Sequence, residues 1–394
     1  MTFDFDTVTE RRGTGSEKWN VGENELPMWV ADMDFTTAPA VIRALEERAA
    51  HGIFGYSTCP DEWYDAYTGW WKDRHGYAME RDWLIFTTGV IPAVSTAVRK
   101  LTTPAEKVAL LTPIYNTFFN SILNNGRVPV EIPLIPERGE NGRLRYDIDW
   151  EAFERGLADP QTTLLIFCNP HNPTGKIWER QTLARVGELA KKHGVTVLAD
   201  EIHCDIADPG KGYIPFASVN EVNRSVSVTC IAPTKAFNIA GIQTAAVSVA
   251  DPFLRHKMRR ALNTDEVAEG NSFAFAAAVA AFTEGGEWLD AMNAYVRANK
   301  DRVDGFLAEE LPELETLPSE ATYLMWVNIG RIAEDSEAFC TFLRRETGLY
   351  VCPGTWYRGD GKQWFRLNVA CPRVLLEDGL GRLKRGAEAW KAGN

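Results

Sequence analysis

The chain has 394 residues, of which 45% are hydrophobic, and its formal net charge at pH 7 is −12. This length suits one large or two medium domains, and the negative charge argues against non-specific binding to nucleic acids or anionic membranes. The N-terminus has no apolar signal core, and the most apolar run, 272–282, is too short to span a bilayer. The seven cysteines show no CxxC spacing, which predicts neither a metal site nor a disulfide framework. We therefore expect a cytoplasmic protein that acts on small molecules.

In chain order, residues 1–45 read as an irregular arm that passes into the helical stretch "APAVIRALEERAAHG". From about residue 84, short apolar runs rich in β-branched residues alternate with amphipathic stretches such as 180–194, which Gly194 ends. Buried strands alternating with helices predict an α/β fold with a mostly parallel sheet covered on both faces. The predicted strands are 107–113, 162–170, 195–201, 225–233 and 244–251.

The pattern changes near residue 286. A long helical stretch is followed by a strand at 321–329, a helix at 336–348, a Gly-rich loop and a last strand, "WFRLNVA". We predict a large domain at 48–285 and a smaller α+β domain made of 1–47 together with 286–394.

Polar or flexible residues follow several of the predicted strands. Because the carboxyl ends of parallel strands meet at one edge of the sheet, where ligands bind, we expect these residues to lie together. One of them, Lys235 in "APTKAFNIAG", is a poor choice for a buried turn unless its charge is used or removed. Taken alone, it is better explained as a surface lysine on a connecting loop. The other residues at this edge are Thr88, Gly89, Asn169 and Asp200.

Asp200, Gly89 and a further residue, Tyr115, permit two explanations each. Asp200 ends a buried strand, so its carboxylate needs a cation, either a pyridinium nitrogen or a basic side chain of the protein. Gly89 precedes a helical run whose free N–H groups would suit a phosphate, although such turns are common. Tyr115 follows another strand and either packs in the core or stacks on a ring.

The segment "CNPHNPTG", residues 168–175, is more specific. Its two Asn-Pro pairs predict a rigid loop that presents the amides of Asn169 and Asn172 near a strand end. A phosphorylated heterocycle that carries a carbonyl needs a lysine, an acid, a phosphate cradle and an aromatic face, and this edge offers a candidate for each.

In order and spacing, "CNPHNPTG", "ADEIHCD", "APTKAFNIAG" and "FRLNVACPR" resemble the fold-type I enzymes that use pyridoxal 5'-phosphate (PLP). The resemblance covers nearly the whole chain. It is closest to the cystathionine β-lyase-like C–S lyases of the aminotransferase class I/II superfamily. The segments that resemble this branch are "PMWVADMDF", "DEIH" and "KAFNIAG".

The resemblance implies a role for each candidate in holding the cofactor. Lys235 would bind PLP covalently and later transfer a proton. Asp200 would pair with the ring nitrogen, Asn169 would bind the ring oxygen and Tyr115 would stack on the ring. The phosphate would be held by the Gly89 and Val90 amides and the Thr234 hydroxyl.

The resemblance also implies how substrate and partner subunit take part. Arg366 would bind the α-carboxylate of an amino acid through a bidentate pair, with Asn169 beside it. Trp29 and Asp32 would line the mouth of the site. Tyr56 would act across the interface of a homodimer as a second catalytic and cofactor-binding residue.

Two positions depart from aspartate-type aminotransferases. His203 stands where those enzymes carry a tyrosine, and it is either a cofactor-binding residue near the ring or a structural core histidine. Gln243 stands where they carry an arginine for the phosphate. Both changes favour a lyase over a transaminase.

We therefore predict a PLP-dependent C–S β-lyase that cleaves L-cystathionine and related S-substituted cysteines. The products would be a thiol such as homocysteine, pyruvate and ammonia. An aminotransferase of amino acids is the alternative on the same fold, and it would require an oxo acid. A PLP-binding regulatory protein is a third hypothesis. The acidic charge of the chain, and the lack of a segment that resembles a DNA-binding domain, argue against it.

Overall fold

The computed structural model describes residues 3–139 and 142–393. Its strands are β1 (Leu26–Pro27), β2 (Leu84–Thr87), β3 (Lys107–Thr112), β4 (Val128–Arg138), β5 (Leu144–Ile148), β6 (Thr162–Cys168), β7 (Thr196–Asp200), β8 (Ser227–Ile231), β9 (Ala245–Ser248), β10 (Glu315–Thr316), β11 (Leu324–Asn328), β12 (Leu349–Tyr350), β13 (Cys352–Pro353) and β14 (Trp364–Asn368). Its helices are α1 (Pro39–His51), α2 (Asp61–His75), α3 (Val90–Leu101), α4 (Thr117–Leu123), α5 (Trp150–Ala158), α6 (Arg180–His193), α7 (Glu221–Val226), α8 (Pro252–Thr264), α9 (Ala274–Glu284), α10 (Gly286–Glu310), α11 (Ser336–Thr347) and α12 (Arg373–Gly393).

The central sheet has eight strands in the order β2-β9-β8-β7-β6-β3-β4-β5. Strands β8, β7, β6, β3 and β4 are parallel to one another, whereas β9 and β5 run antiparallel to their neighbours. Most buried residues of the parallel strands are apolar, as expected for a sheet covered on both faces. The predicted α/β fold is confirmed, with β9 antiparallel.

Helices cover the sheet on both faces. Apolar side chains of α3, α4 and α8 pack with one face of the strands, and those of α5 and α6 pack with the other. Helix α6 shows how the sequence sets these bounds: its buried residues recur at helical spacing, and Gly194 ends it in the left-handed conformation (φ 69°). The strands therefore hold their carboxyl ends fixed at one edge.

A second sheet has four antiparallel strands in the order β10-β11-β14-β13. The N-terminal arm joins this part of the chain, because Leu26 in β1 pairs in parallel with Leu349 in β12. The arm and the C-terminal region therefore meet, as the sequence predicts. The domain bounds 1–47, 48–285 and 286–394 stay a prediction; α9 ends at Glu284 and α10 begins at Gly286.

The sequence reading omitted the hairpin of β4 and β5. Its strands alternate exposed and buried residues rather than forming a continuous apolar run, and three of the residues in β4 are prolines. In the part of the chain that the structure describes, no helix is both long enough and apolar enough to cross a membrane.

Candidate active site

A cavity of about 270 Å³ lies at the carboxyl edge of the parallel strands. Ligands bind at this edge in sheets of parallel strands, and the sequence predicts the site there. Its walls come from the first turn of α3, from the loops after β3, β6, β7 and β8, and from the N-terminal region. The lining residues are Ala31, Thr88, Gly89, Val90, Ile91, Pro92, Tyr115, Cys168, Asn172, Asp200, Ile202, His203, Thr234, Lys235, Ala240 and Gln243.

Lys235 is half-buried in the turn that follows β8. Its Nζ donates a hydrogen bond of 2.6 Å to the carbonyl oxygen of Ala31, which also accepts one of 3.0 Å from the Tyr323 hydroxyl. Burial lowers the pKa of Lys235 to about 8, and the charge of Asp32 opposes this shift. The surface-lysine explanation is therefore wrong, and a substantial fraction of this amine is neutral near pH 8.

Asp200 ends β7 and is 4% exposed. Its Oδ1 accepts a hydrogen bond from the Ile202 N–H at 3.1 Å, and no Lys, Arg or His of the described chain forms an ion pair with it. Burial raises its pKa to about 6, although that N–H and the charge of Lys235 act in the other direction. The carboxylate faces a cavity and lacks the salt bridge that the alternative explanation required.

The first turn of α3 forms one end of the cavity. Gly89 is the residue before the helix, and the N–H groups of Val90 and Ile91 have no acceptor within the helix. The hydroxyls of Thr88 and Thr234 belong to the same lining. A side chain at Gly89 would crowd Pro92, whose Cδ would lie 3.1 Å from the added Cβ. This turn has the donors that a phosphate needs.

The two asparagines of "CNPHNPTG" have separate positions. The Asn169 side chain donates to the Ile214 carbonyl at 3.0 Å and accepts from the Trp178 N–H at 3.4 Å, and it is not part of the cavity lining. Asn172 lines the cavity, and its Oδ1 accepts from Arg366 at 3.3 Å. The structure thus corrects the prediction that Asn169 faces the ligand, because its amide is used to hold the loop together.

Arg366 lies in β14 and is 4% exposed. Besides the contact with Asn172, its Nη2 donates to the Trp29 carbonyl at 2.8 Å, and its Nε has no hydrogen-bond partner among the residues that the structure describes. No carboxylate of the described residues pairs with it. A buried guanidinium that meets only neutral groups is suited to bind a carboxylate supplied by a ligand.

His203 and Tyr115 complete the walls. His203 is 3% exposed, and its Nδ1 has no hydrogen-bond partner. Burial, together with the charges of Lys235 and Arg366, lowers its pKa to about 3, so the imidazole is neutral at neutral pH. The Tyr115 ring meets Phe118 edge to face at 5.6 Å, and the residue also lines the cavity. Both residues therefore reach the site.

The remaining predicted residues lie outside this lining. The Trp29 ring stacks on Tyr350 with centroids 4.7 Å apart, so only its carbonyl is directed to Arg366. Asp32 forms an ion pair with Arg11 at 2.9 Å. Tyr56 is fully exposed and is not part of the cavity lining.

Three contributors to the site were not assigned a role from the sequence. Thr88 and Gln243 line the cavity, and Gln243 has a positive φ of 59°. Tyr323, in the second sheet, reaches the Ala31 carbonyl beside Lys235. Thr88 and Gln243 could have been found from the sequence, because they lie close in the chain to Gly89 and Lys235. No sequence pattern marks Tyr323, because its role depends on contact between distant parts of the chain.

The sequence matches the family described as aminotransferase class I and II over residues 17–383. Cystathionine beta-lyase PatB of Bacillus subtilis is 40% identical over 386 residues, which cover 96% of this chain and 98% of that protein. Protein MalY of Escherichia coli is 31% identical over 389 residues, with 97% and 98% covered. The crystal structure of cystalysin from Treponema denticola, which contains a pyridoxal 5'-phosphate cofactor, matches with a TM-score of 0.94 at 30% identity, covering 99% of this chain and all of that one.

The chain belongs to the aminotransferase class I and II family, whose members use PLP. The predicted family, fold-type I architecture and cofactor are therefore confirmed. The cavity fits that cofactor on its own features: a partly neutral, half-buried amine at Lys235, an unpaired buried carboxylate at Asp200, and free N–H groups at the start of α3.

Proposed function

We propose that the protein is a PLP-dependent C–S β-lyase that converts L-cystathionine and water to homocysteine, pyruvate and ammonia. The 40% identity to a cystathionine β-lyase, across 96% of the chain, is the observation that carries the choice of reaction. The cavity supports the same class of chemistry, since the Lys235 amine and the Asp200 carboxylate line it and the Arg366 guanidinium contacts Asn172, which also lines it. Related S-substituted cysteines would be cleaved in the same way.

PLP, when bound, withdraws electrons from the Cα of the amino acid. Asp200, with its pKa of about 6, is an anion at neutral pH and would hold a protonated ring nitrogen. The N–H groups of Val90 and Ile91, with Thr88 and Thr234, would hold the phosphate. Tyr115 would lie against the ring.

One assignment near the ring oxygen differs from the sequence prediction. Asn172 takes the role first given to Asn169, because its amide lines the cavity. His203 would be its neighbour, as a neutral donor rather than a second cation. Gln243 would replace a charged phosphate ligand with an uncharged amide.

The group that takes the proton and the group that binds the substrate carboxylate are different residues. Lys235 Nζ would take the proton from Cα, which its lowered pKa permits near neutral pH. Arg366 would hold the α-carboxylate by two hydrogen bonds, displacing its weaker contacts with the Trp29 carbonyl and Asn172. The bond from Cβ to sulfur breaks and the thiolate leaves. Holding the amino acid at its carboxylate fixes Cα near the amine.

We infer a homodimer from the exposure of Tyr56. A fully exposed tyrosine beside the exposed Phe54 and Ile53 forms an apolar patch that a second subunit would cover. A homodimer in which Tyr56 enters the partner's site accounts for this exposure. Cytoplasmic location stays a prediction from the sequence.

Product analysis tests the proposal. The purified, PLP-loaded protein is incubated with L-cystathionine without any oxo acid, and pyruvate and free thiol are measured together. Equal amounts of both support β-elimination. If neither forms, while amino-group transfer begins on addition of an oxo acid, the protein is an aminotransferase and the proposed reaction is wrong.

A further inference from the structure

Asp32 lies one residue from the carbonyl that holds the catalytic amine. The Ala31 carbonyl accepts from Lys235 Nζ, and burial lowers the pKa of that amine while the charge of Asp32 opposes the shift. The carboxylate is therefore within electrostatic range of Lys235. Its side chain is not part of the main cavity lining, so its charge is not used to hold the cofactor.

Asp32 instead lines a second cavity of about 280 Å³. Ala240 lines both this cavity and the main one, so the two adjoin each other. A ligand whose reacting carbon lies near Lys235 would thus have room to extend toward Asp32. In L-cystathionine the part that extends beyond the sulfur is a second amino acid with an ammonium group.

The carboxylate of Asp32 is fixed in place and still has acceptor capacity. Arg11 donates to both of its oxygens, at 3.1 and 2.9 Å, and Lys18 Nζ lies 3.7 Å from Oδ1. Each carboxylate oxygen can accept a further hydrogen bond. The side chain remains 23% exposed, whereas that of its neighbour Asp34 is 4% exposed.

The two cations beside Asp32 do not neutralise Asp32 only, because both also pair with Asp34. Lys18 pairs with Asp34 at 2.8 Å, and Arg11 pairs with it at 2.6 Å. Arg11 also donates to the Met33 carbonyl and to Ser16. Two cations thus meet two carboxylates that both line this cavity, and Asp32 is the more exposed of the two.

We propose that Asp32 binds an ammonium group on the S-substituent and so selects substrates that carry a second amino group, such as L-cystathionine or L-cystine, over simple S-alkylcysteines. This inference rests on the proposed function for its substrate class. Arg11, which also lines the second cavity, acts here as a positioning residue, because it holds both oxygens of the Asp32 carboxylate.

The test uses two analogues of equal size, S-(2-aminoethyl)-L-cysteine and S-propyl-L-cysteine. Their dissociation constants for the PLP-loaded protein are measured from the change in the visible absorbance of the bound cofactor, and their kcat/KM values are measured in parallel. We expect Asp32→Asn to lower the preference for the aminoethyl analogue about tenfold, the effect of losing a charged hydrogen-bond partner. Asp32→Glu, which keeps the charge, should retain more of the preference.

Asp378→Asn is the matched control, since Asp378 forms an ion pair with Arg382 on α12, away from the cavity, and should leave the preference unchanged. If Asp32→Asn does not fold, the wild type is compared at low and high salt, where screening should weaken only the aminoethyl analogue. An equal preference in wild type and Asp32→Asn, or no salt effect, overturns the inference. Absence of pyruvate with a normal binding preference would instead overturn the proposed reaction alone.

Discussion

Two regions that meet at Lys235 are built in different ways. The sheet edge carries Asp200, Thr234 and Lys235 at the ends of the neighbouring parallel strands β7 and β8, and Gly89 after β2, which pairs with the antiparallel β9. The strap, residues 28–35, has little regular structure and is held by side chains that donate to its carbonyls. These donors, which come from the C-terminal region, from the residues near Lys235 and from the N-terminal arm, are Arg11, Lys18, Lys235, Asn238, Tyr323, Arg366 and Asn368.

The difference indicates a division of roles. The sheet edge is rigid and presents the groups that suit the cofactor. The strap brings Arg366 and Asp32 beside the same amine, and its bonds to the side chains of Arg366 and Lys235 must change when a ligand takes those groups. Changes at the sheet edge should therefore impair cofactor chemistry, whereas changes at the strap should impair substrate binding while the cofactor stays bound. Four predictions test this division, in order of decreasing effect.

Lys235→Ala should give the largest effect. We expect elimination to fall by about 10³-fold or more, because the group that moves the Cα proton is removed. The variant should still bind PLP without a covalent bond. Pyruvate release from L-cystathionine measures the loss, and Lys384→Ala, at an exposed ion pair with Glu310, is the control. Elimination within tenfold of the wild type would contradict the role of Lys235.

Arg366→Gln should lower kcat/KM by about 10²-fold, mainly through KM, because a buried charge pair with the substrate carboxylate is lost. The PLP content should match that of the wild type. Steady-state kinetics with L-cystathionine, with Arg382→Gln as the control, separates the two quantities. Loss of PLP with an unchanged KM would break the division between sheet edge and strap.

The pH dependence of covalent PLP loading should report the lowered pKa of Lys235. The neutral amine reacts, so the loading rate should rise about tenfold from pH 7 to pH 9 and then level off above its pKa of about 8. Nα-acetyl-lysine, measured under the same conditions, should continue to gain reactivity up to about pH 10. A loading rate with the same pH dependence as that of Nα-acetyl-lysine would show that burial does not lower the pKa of Lys235.

The two asparagines should give the smallest and most selective effects. Asn172→Ala should weaken PLP binding by about tenfold, because it removes a hydrogen bond at the ring. Asn169→Ala should leave PLP affinity unchanged and lower the free energy of unfolding by about 1–3 kcal/mol, because the Ile214 carbonyl and the Trp178 N–H lose their partner. PLP titration and chemical denaturation measure the two quantities. The reverse outcome would restore Asn169 to the site.

The sequence predicted the parallel strands, the sheet edge and most residues on it, because a buried strand leaves a local signal and strand ends coincide in space. Asn169 was assigned wrongly because two asparagines three residues apart follow the same strand, and only the loop conformation decides which amide faces the cavity. Tyr323 was missed, and Asp32 could be placed only at the mouth of the site. Both positions are set by contacts across some 200 residues or more, which leave no local pattern.

The central claim is that Lys235 is the amine of a PLP enzyme, and borohydride reduction of the PLP-loaded protein tests it directly. Peptide mapping by mass spectrometry should find the reduced cofactor on the peptide that contains Lys235, with one equivalent per chain. Label on another lysine, or no stable label in a protein that binds PLP, would contradict the assignment of this site.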